Sequence, residues 1–421
     1  MKKKLLYVVN ADWFFFSHRL NLAHKAIEKG YEVHLLTNVT RISDENKTGI
    51  RIHHFPFSRL GVNFFKEIYA VLKLSNEIKR IQPDIVHLVT LKPIIYVGLI
   101  SLITPLKSMV IAVSGMGFLF TSKNNIFFSI VSRIILILIR RIVTKNNSKI
   151  IFQNSYDQDL ILKDKKSLLN KSVLIKGVGV KVNQKSYQEE TVHREISVVM
   201  ASRLLRDKGV IEFFEAAKII SNIRGDVKFT VAGDIDPGNP NSLTQIEFDE
   251  LRKHKFINFL GHVSDMDKLF EESNIVVLPS YREGFPKVLM EASSHSKPSI
   301  TTDVPGCNEV VKHNVTGLLV PPKNTQALVE AIVYLLDNSE IRKEMGKQAF
   351  LRAKKSFDER LQNINWDNYH NDLPFNPSAL SLYKWAPIAE DLKSLDRKIV
   401  LNSVILKWGV VKKEFEERIK F

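Results

Sequence analysis

The stretch NIVVLPSYREGFPKVLMEA, Asn274 to Ala292, decides how the chain is read. Its first seven residues are a short apolar run of strand length. A Gly-Phe-Pro turn follows, and PKVLMEASSH then takes up a helical period, with Pro286 fit for a helix's first turn. Strand, turn and helix in that order form the repeating unit of a parallel α/β sheet, whose ligands sit beyond the strands' carboxyl ends. Glu283 lies on the turn and Glu291 about one turn inside the helix. The free amides and positive dipole end of that helix favour an anion, and Gly284 lets the backbone approach a ligand closely.

Paired carboxylates suggest acid–base hydrolysis, and distance argues against it. Four helical residues advance ~6 Å, and the lead-in adds up to ~13 Å if extended. Glycosidase carboxyls stand ~5–9.5 Å apart across one bond. A wider pair suits a long ligand held at both ends, with the helix start at a phosphate between them. A nucleotide-diphosphate sugar has that shape.

Outward from this unit, the same alternation runs through both halves. KLLYVVN, EVHLLTN, DIVHLVT, MVIAVSG, KIIFQN and SVLIKGVGV read as strands, with helical segments near 19–30, 64–81 and 126–143. After a polar stretch, Lys181 to Glu195, a second series follows: ISVVMAS, VKFTVAGD, INFLGHV, NIVVLPS, PSITTD and GLLVPP. Helices are expected at 208–222, 242–254, 265–273, 286–296 and 325–337. The fold class is α/β, two Rossmann-like domains facing a cleft. The expected division is 1–182, 196–356, and a polar-aromatic then amphipathic tail over 357–421.

The totals narrow the function. At 421 residues the chain holds two full domains, and one cysteine, Cys307, excludes an internal disulfide. The opening MKKKLLYVVNADWFF imitates a signal peptide. Its apolar core is five residues long and no small-residue cleavage site follows, so it reads as a first strand. No run of eighteen uncharged apolar residues suggests a spanning helix. Residues 1–195 hold 30 Lys+Arg against 14 Asp+Glu, and residues 196–421 hold 31 of each, so the net +16 sits in the first half. Between Asp84 and Asp157 there are eight cations and no acid. That points to an anionic partner. Within it, IFFSIVSRIILILIRRIV (126–143) places Ser129, Ser132, Arg133, Arg140 and Thr144 on one stripe, which suits a helix lying in a membrane interface. Nucleic acid is not expected, because the basic half lacks a recognition motif.

A second constellation is VVMASRLLRDKGV. Arg203 and Lys208 follow a strand's carboxyl end, a planar fork and a point charge suited to phosphate oxygens, and Gly209 permits a close turn.

SRLLRDKG, GHVSDMDKLF, LPSYREGFPKVLMEASSHSKPSITTDVPG and NVTGLLVPPKN resemble, in order and spacing over roughly 196–340, the carboxyl-terminal domain of the family-four retaining glycosyltransferases of the GT-B fold. DWFFFSHRL, PDIVHLVT, AVSGMGF and IKGVGV agree more loosely. They resemble bacterial enzymes that build O-antigen, capsular or exopolysaccharide units on polyprenyl-diphosphate lipids. The resemblance implies that Glu283 holds donor-sugar hydroxyls and Glu291 the ribose. It implies that Gly284, Phe285, Lys287 and Val288 line the sugar and diphosphate, and that Val263, Asp265 and Lys268 flank the nucleobase. Arg203 and Lys208 would neutralise the leaving diphosphate, with Glu283 counted beside them in catalysis. It implies no metal, no resident cofactor and no protein nucleophile. The expected partners are a UDP-linked sugar, a lipid-linked saccharide and the anionic cytoplasmic face of the bacterial inner membrane.

The chain departs from the family on the acceptor side. The usual His-x-His is His87-Leu88-Val89, a loop that often bears histidine reads VSGMGF, and the usual Gly-Val-Asp is Gly179-Val180-Lys181. Acceptor-side candidates are Asp12, His18, Arg19, Ser114 and Gly115. Two other readings are a GT-B-fold nucleotide-sugar epimerase and a catalytically silent subunit docking a partner at the membrane. The basic apolar half argues against the first, and the intact Glu283, Glu291, Arg203 and Lys208 against the second.

Overall fold

A computed structural model of the chain describes residues 2–40, 48–57, 64–116, 126–144, 147–162, 166–182 and 195–359. The amino-terminal sheet contains β1 (Lys4–Val9), β2 (Glu32–Thr37), β3 (Arg51–His54), β4 (Ile85–Val89), β5 (Met109–Val113), β6 (Ser148–Phe152) and β7 (Ser172–Leu174). They lie in the order β3-β2-β1-β4-β5-β6-β7, all neighbours parallel. Its helices are α1 (Asp12–His18), α2 (Leu20–Glu28), α3 (Phe64–Ile81), α4 (Leu91–Ile103), α5 (Ile126–Thr144) and α6 (Ser155–Leu162). Successive β1 residues face opposite ways: Leu6 and Val8 join one core, Leu5, Tyr7 and Val9 the other. Both faces are covered, which is why the central strands are apolar without alternation.

The carboxyl-terminal sheet repeats the plan with β8 (Ile196–Ala201), β9 (Val227–Ala232), β10 (Ile257–Gly261), β11 (Ile275–Leu278), β12 (Ser299–Thr302) and β13 (Gly317–Val320), in the parallel order β10-β9-β8-β11-β12-β13. Its helices are α7 (Val210–Ser221), α8 (Gln245–Arg252), α9 (Met266–Glu271), α10 (Lys287–Ser294), α11 (Cys307–Val310), α12 (Thr325–Asp337) and α13 (Ser339–Ser356). In both sheets the order reverses beside the first strand, between β1 and β4 and between β8 and β11. These switch points open a crevice at the strands' carboxyl ends.

The strand series matches the expectation, with additions. β3 has no apolar run and lies at the sheet edge. α4 buries Pro93, Ile94, Tyr96, Val97, Gly98, Ile100 and Ser101 and is apolar nearly all round, so it carries no helical contrast to read. The polar stripe expected along 126–143 divides. Ser132 is buried, Arg140 donates to the backbone carbonyls of Ile161 and Leu160, and Arg133 and Thr144 are exposed, as is Arg141 beside them. Ser129's side chain, Gly117 of the VSGMGF loop and nearly all of the tail (360–421) lie outside the described residues. Phe357 is buried against Phe285. The two residues after it return to the first domain, where Val180 N donates to Phe357 O and Glu359 N to Val180 O. Among the described residues no helix is long and apolar enough to cross a membrane.

Candidate active site at the interdomain cleft

The loop from β11 to α10 is fixed from below before it meets the cleft. Tyr281 N donates to Asp207 O at 2.8 Å, and Tyr281 Oη donates to Glu212 Oε1 at 2.5 Å. Glu283 is nearly buried, with 12% of its side chain exposed. Its Oε1 accepts from Ser280 Oγ at 2.6 Å and from Lys208 Nζ at 2.5 Å. Lys208 reaches it because Gly209, at φ 75°, turns the chain sharply into α7; a Cβ there would stand 2.2 Å from Pro279 O. Pro286 is the residue before the first helical turn, one position earlier than the sequence reading. Lys287 and Val288 therefore open α10, and Lys287 Nζ pairs with Glu291 Oε1 at 2.9 Å one turn on.

These groups border two joined hollows. The first, 450 Å³, is lined by Glu283, Gly284, Phe285, Lys208 and Arg282 from one domain and by Phe14, His18, Ser114, Gly115 and Gln153 from the other. The second, 980 Å³, is lined by Glu291, His262, Val263, Met266 and Asp234 to Asp236, with Asp12 opposite. Trp13, Arg203, Lys287 and Val288 border both. Glu283 and Glu291 thus occupy different arms, and the start of α10 lies at the joint. The volumes are in the range of small-molecule clefts.

Arg203 stands at that joint. Its Nη1 donates to Asp236 Oδ2 at 2.6 Å, and its guanidinium lies 5.1 Å from the centre of the Trp13 ring. Trp13 and Asp236 escaped the sequence reading. Trp13 stands in the first turn of α1, a few residues past β1 at the first domain's switch point, and that position was the available signal. Asp265 caps α9, accepting from Lys268 N at 3.0 Å, while Lys268 extends towards Glu272 at 3.9 Å. Both are exposed and outside the lining of the hollows, whereas Val263 lies within it.

Gly284 has a reason that its sequence context did not suggest. A Cβ there would stand 2.1 Å from Ser114 O, so the close approach of the opposite backbone by itself requires glycine. Gly115, at φ 124°, is the matching residue across the gap.

The acceptor-side candidates separate. Asp12 is buried; its carboxylate accepts from Trp13 N, Thr40 N and Thr40 Oγ1 at 2.7, 2.6 and 2.7 Å, which fastens the β1–α1 turn. His18 stacks on Phe14 at 4.2 Å, with Nδ1 2.6 Å from Ser17 Oγ. Burial, then the neighbouring Arg19, Lys287 and Arg203 charges, pushes its pKa down to about 3, so it stays neutral at ordinary pH. Arg19 is buried, donates to His18 O at 2.9 Å, and borders a third hollow with Lys181 and His295. Burial lowers its pKa to about 10. His87 is buried and stacked on Tyr7 in the core.

Residues 182–352 match the family described as glycosyl transferases group 1, and residues 4–154 the family described as glycosyl transferase 4-like. A Campylobacter jejuni N,N'-diacetylbacillosaminyl-diphospho-undecaprenol alpha-1,3-N-acetylgalactosaminyltransferase is 26% identical over 74% of this chain and 83% of that one. An Escherichia coli UDP-Gal:alpha-D-GlcNAc-diphosphoundecaprenol alpha-1,3-galactosyltransferase is 22% identical over 70% and 78%. The fold is shared with Anabaena Alr3699/HepE, solved with UDP and glucose, at a TM-score of 0.68 and 18% identity over 88% of this chain and 99% of that one.

Proposed function

We propose that this chain, a glycosyltransferase whose 4-like amino-terminal and group 1 carboxyl-terminal domains form the GT-B fold, moves a hexose or N-acetylhexosamine with retention from a UDP-linked sugar to a polyprenyl-diphosphate-linked saccharide. The product belongs to cell-surface polysaccharide. The observation that carries the reading is the two-armed hollow: Glu283 in one arm, Glu291 in the other, and the start of α10 with Arg203 between them. A sugar, a diphosphate and a nucleoside follow one another in the same order. Similarity to the two diphosphoundecaprenol transferases supports the acceptor class.

In this reading Glu283 accepts hydrogen bonds from donor-sugar hydroxyls, and Glu291 from the ribose. The diphosphate meets the opening amides of α10, Lys208 and Arg203. Both cations are already held by carboxylates, so they face the developing charge without reorienting. The bond from the sugar's anomeric carbon to the diphosphate breaks. The acceptor hydroxyl bonds to that carbon from the same face, and its proton passes to the departing phosphate oxygen. A neutral His18 adds no positive charge against this transfer.

The acceptor's lipid supports a peripheral place on the cytoplasmic face of the inner membrane. The neighbouring helices α3, α4 and α5 expose Tyr69, Leu72, Ile103, Ile134 and Ile137 beside Arg133 and Arg141. Exposed apolar side chains together with exposed cations suit an anionic leaflet.

The test offers labelled UDP-sugars and an undecaprenyl-diphosphate saccharide in anionic vesicles, with and without EDTA. Transfer to the lipid that persists in EDTA is expected. Epimerisation or hydrolysis without transfer to the lipid would replace this reading.

A further inference from the structure

The Glu283 loop is gripped from the opposite domain. Asn154, just past β6, and Asp157, in the first turn of α6, are both fully buried. Asn154 Oδ1 accepts from Asp157 N at 2.7 Å, capping α6. Its Nδ2 donates to Asp157 Oδ2 at 3.0 Å and crosses the cleft to Gly284 O at 2.8 Å. Asp157 Oδ1 accepts from Arg282 Nη2 at 2.5 Å, and the Arg282 guanidinium lies 5.2 Å from the Tyr156 ring centre. One buried pair therefore holds the two residues that flank Glu283. A second tie sits beside it, where Ser155 N and Oγ donate to Glu309 Oε1 at 2.8 and 3.0 Å.

We infer that Asn154 and Asp157 are positioning residues for Glu283. They set the loop at the donor-sugar end through Arg282 and Gly284, so that end is complete only when the two domains are docked. This rests on the donor-site reading above. The nucleotide end, although bordered by Asp12 and Trp13 across the cleft, is not held by this grip, since its Lys287, Glu291 and Val263 all belong to the carboxyl-terminal domain. Breaking the grip then separates two quantities that a general loss of stability would move together. Turnover falls because Glu283 is misplaced, while nucleotide affinity stays. A buried ion pair broken on one side leaves an uncompensated charge, so the loop yields rather than keeps its place.

The test compares Asp157→Ala, Arg282→Ala, their double variant and Asn154→Ser with the wild type. Asn154→Ser keeps a helix-capping hydroxyl and loses the reach to Gly284, so it tests the grip even if Asp157→Ala does not fold. Hydrogen exchange at residues 280–286 is expected to rise about tenfold, while β8 and β11 keep their protection. Transfer is expected to slow about 10- to 100-fold, with the Kd for UDP within about threefold of wild type. The double variant should match the single ones, because both act through one pair. Unchanged loop exchange overturns the proposal. So does a loosened loop with full turnover, or turnover, UDP affinity and Tm falling in parallel. If the wild type transfers no sugar from any donor, the functional reading fails, and loop exchange still decides whether the grip exists.

Discussion

Glu283 and His18 illustrate how charge is arranged at single residues. Glu283 is held by one cation and one hydroxyl, so its carboxylate has a fixed place on the wall of the first hollow. His18 meets the opposite condition: burial and three nearby cations disfavour its charged form. The sign of the consequence follows. The unfolded chain takes up a proton at this side chain near its ordinary 6.5, and the folded chain resists until about 3. The unfolded state therefore binds more protons between those values, and stability falls as pH falls through that window. His18→Gln removes the contribution, so Tm should decline less steeply between about pH 6.5 and 4 than in the wild type, as thermal melts at each pH would record. Parallel slopes would mean that His18 is protonated in the fold. Cys307, the one cysteine, is buried and its thiol is pushed up to about 12, chiefly by burial, so it stays unionised beside the Glu283 loop.

Among the elements, the β11–α10 unit carries the strongest constraint, because two backbones meet at Gly284. Gly284→Ala would drive a methyl group into Ser114 O, and neither backbone can yield as a flexible side chain would. We expect this variant to lose most transfer while keeping UDP binding, read by paired kinetic and calorimetric measurements; wild-type turnover would show that the backbones do not meet. This contact also shows where sequence reading stopped. The strand–turn–helix order of residues 274–292 was legible because apolar run, turn and Pro286 lie side by side in the chain. The contact that Gly284 makes was not, since Ser114 is remote in sequence. β3 and α4 were missed because an edge strand and an all-round apolar helix lack periodic contrast. Trp13 was passed over for Asp12 and His18, since its stacking on Arg203 exists only once the domains face each other. Asp265 was legible as part of a motif, while its job as the cap of α9 required the helix to be seen.

For the whole molecule, two doubly wound sheets turn their switch points towards one cleft, and in the proposed function the donor is held mainly from the carboxyl-terminal side. The first half carries the entire excess of positive charge, and the apolar side chains exposed on α3, α4 and α5 lie on that half. The chain should therefore co-sediment with anionic vesicles at about 0.05 M salt and lose much of that binding by about 0.5 M, because screening shortens the reach of each cation. Binding indifferent to both lipid charge and salt would remove the basis for a membrane-facing side. The other half holds the two glutamates, which in the proposed function measure out one extended donor. Calorimetric titration with UDP, which has no sugar, isolates the nucleotide end. Glu291→Ala should weaken UDP binding about tenfold or more, as loss of charged hydrogen bonds does. Glu283→Ala should leave UDP affinity within about threefold and abolish most transfer. Equal losses of UDP affinity in both variants, or a larger loss in Glu283→Ala, would contradict the account.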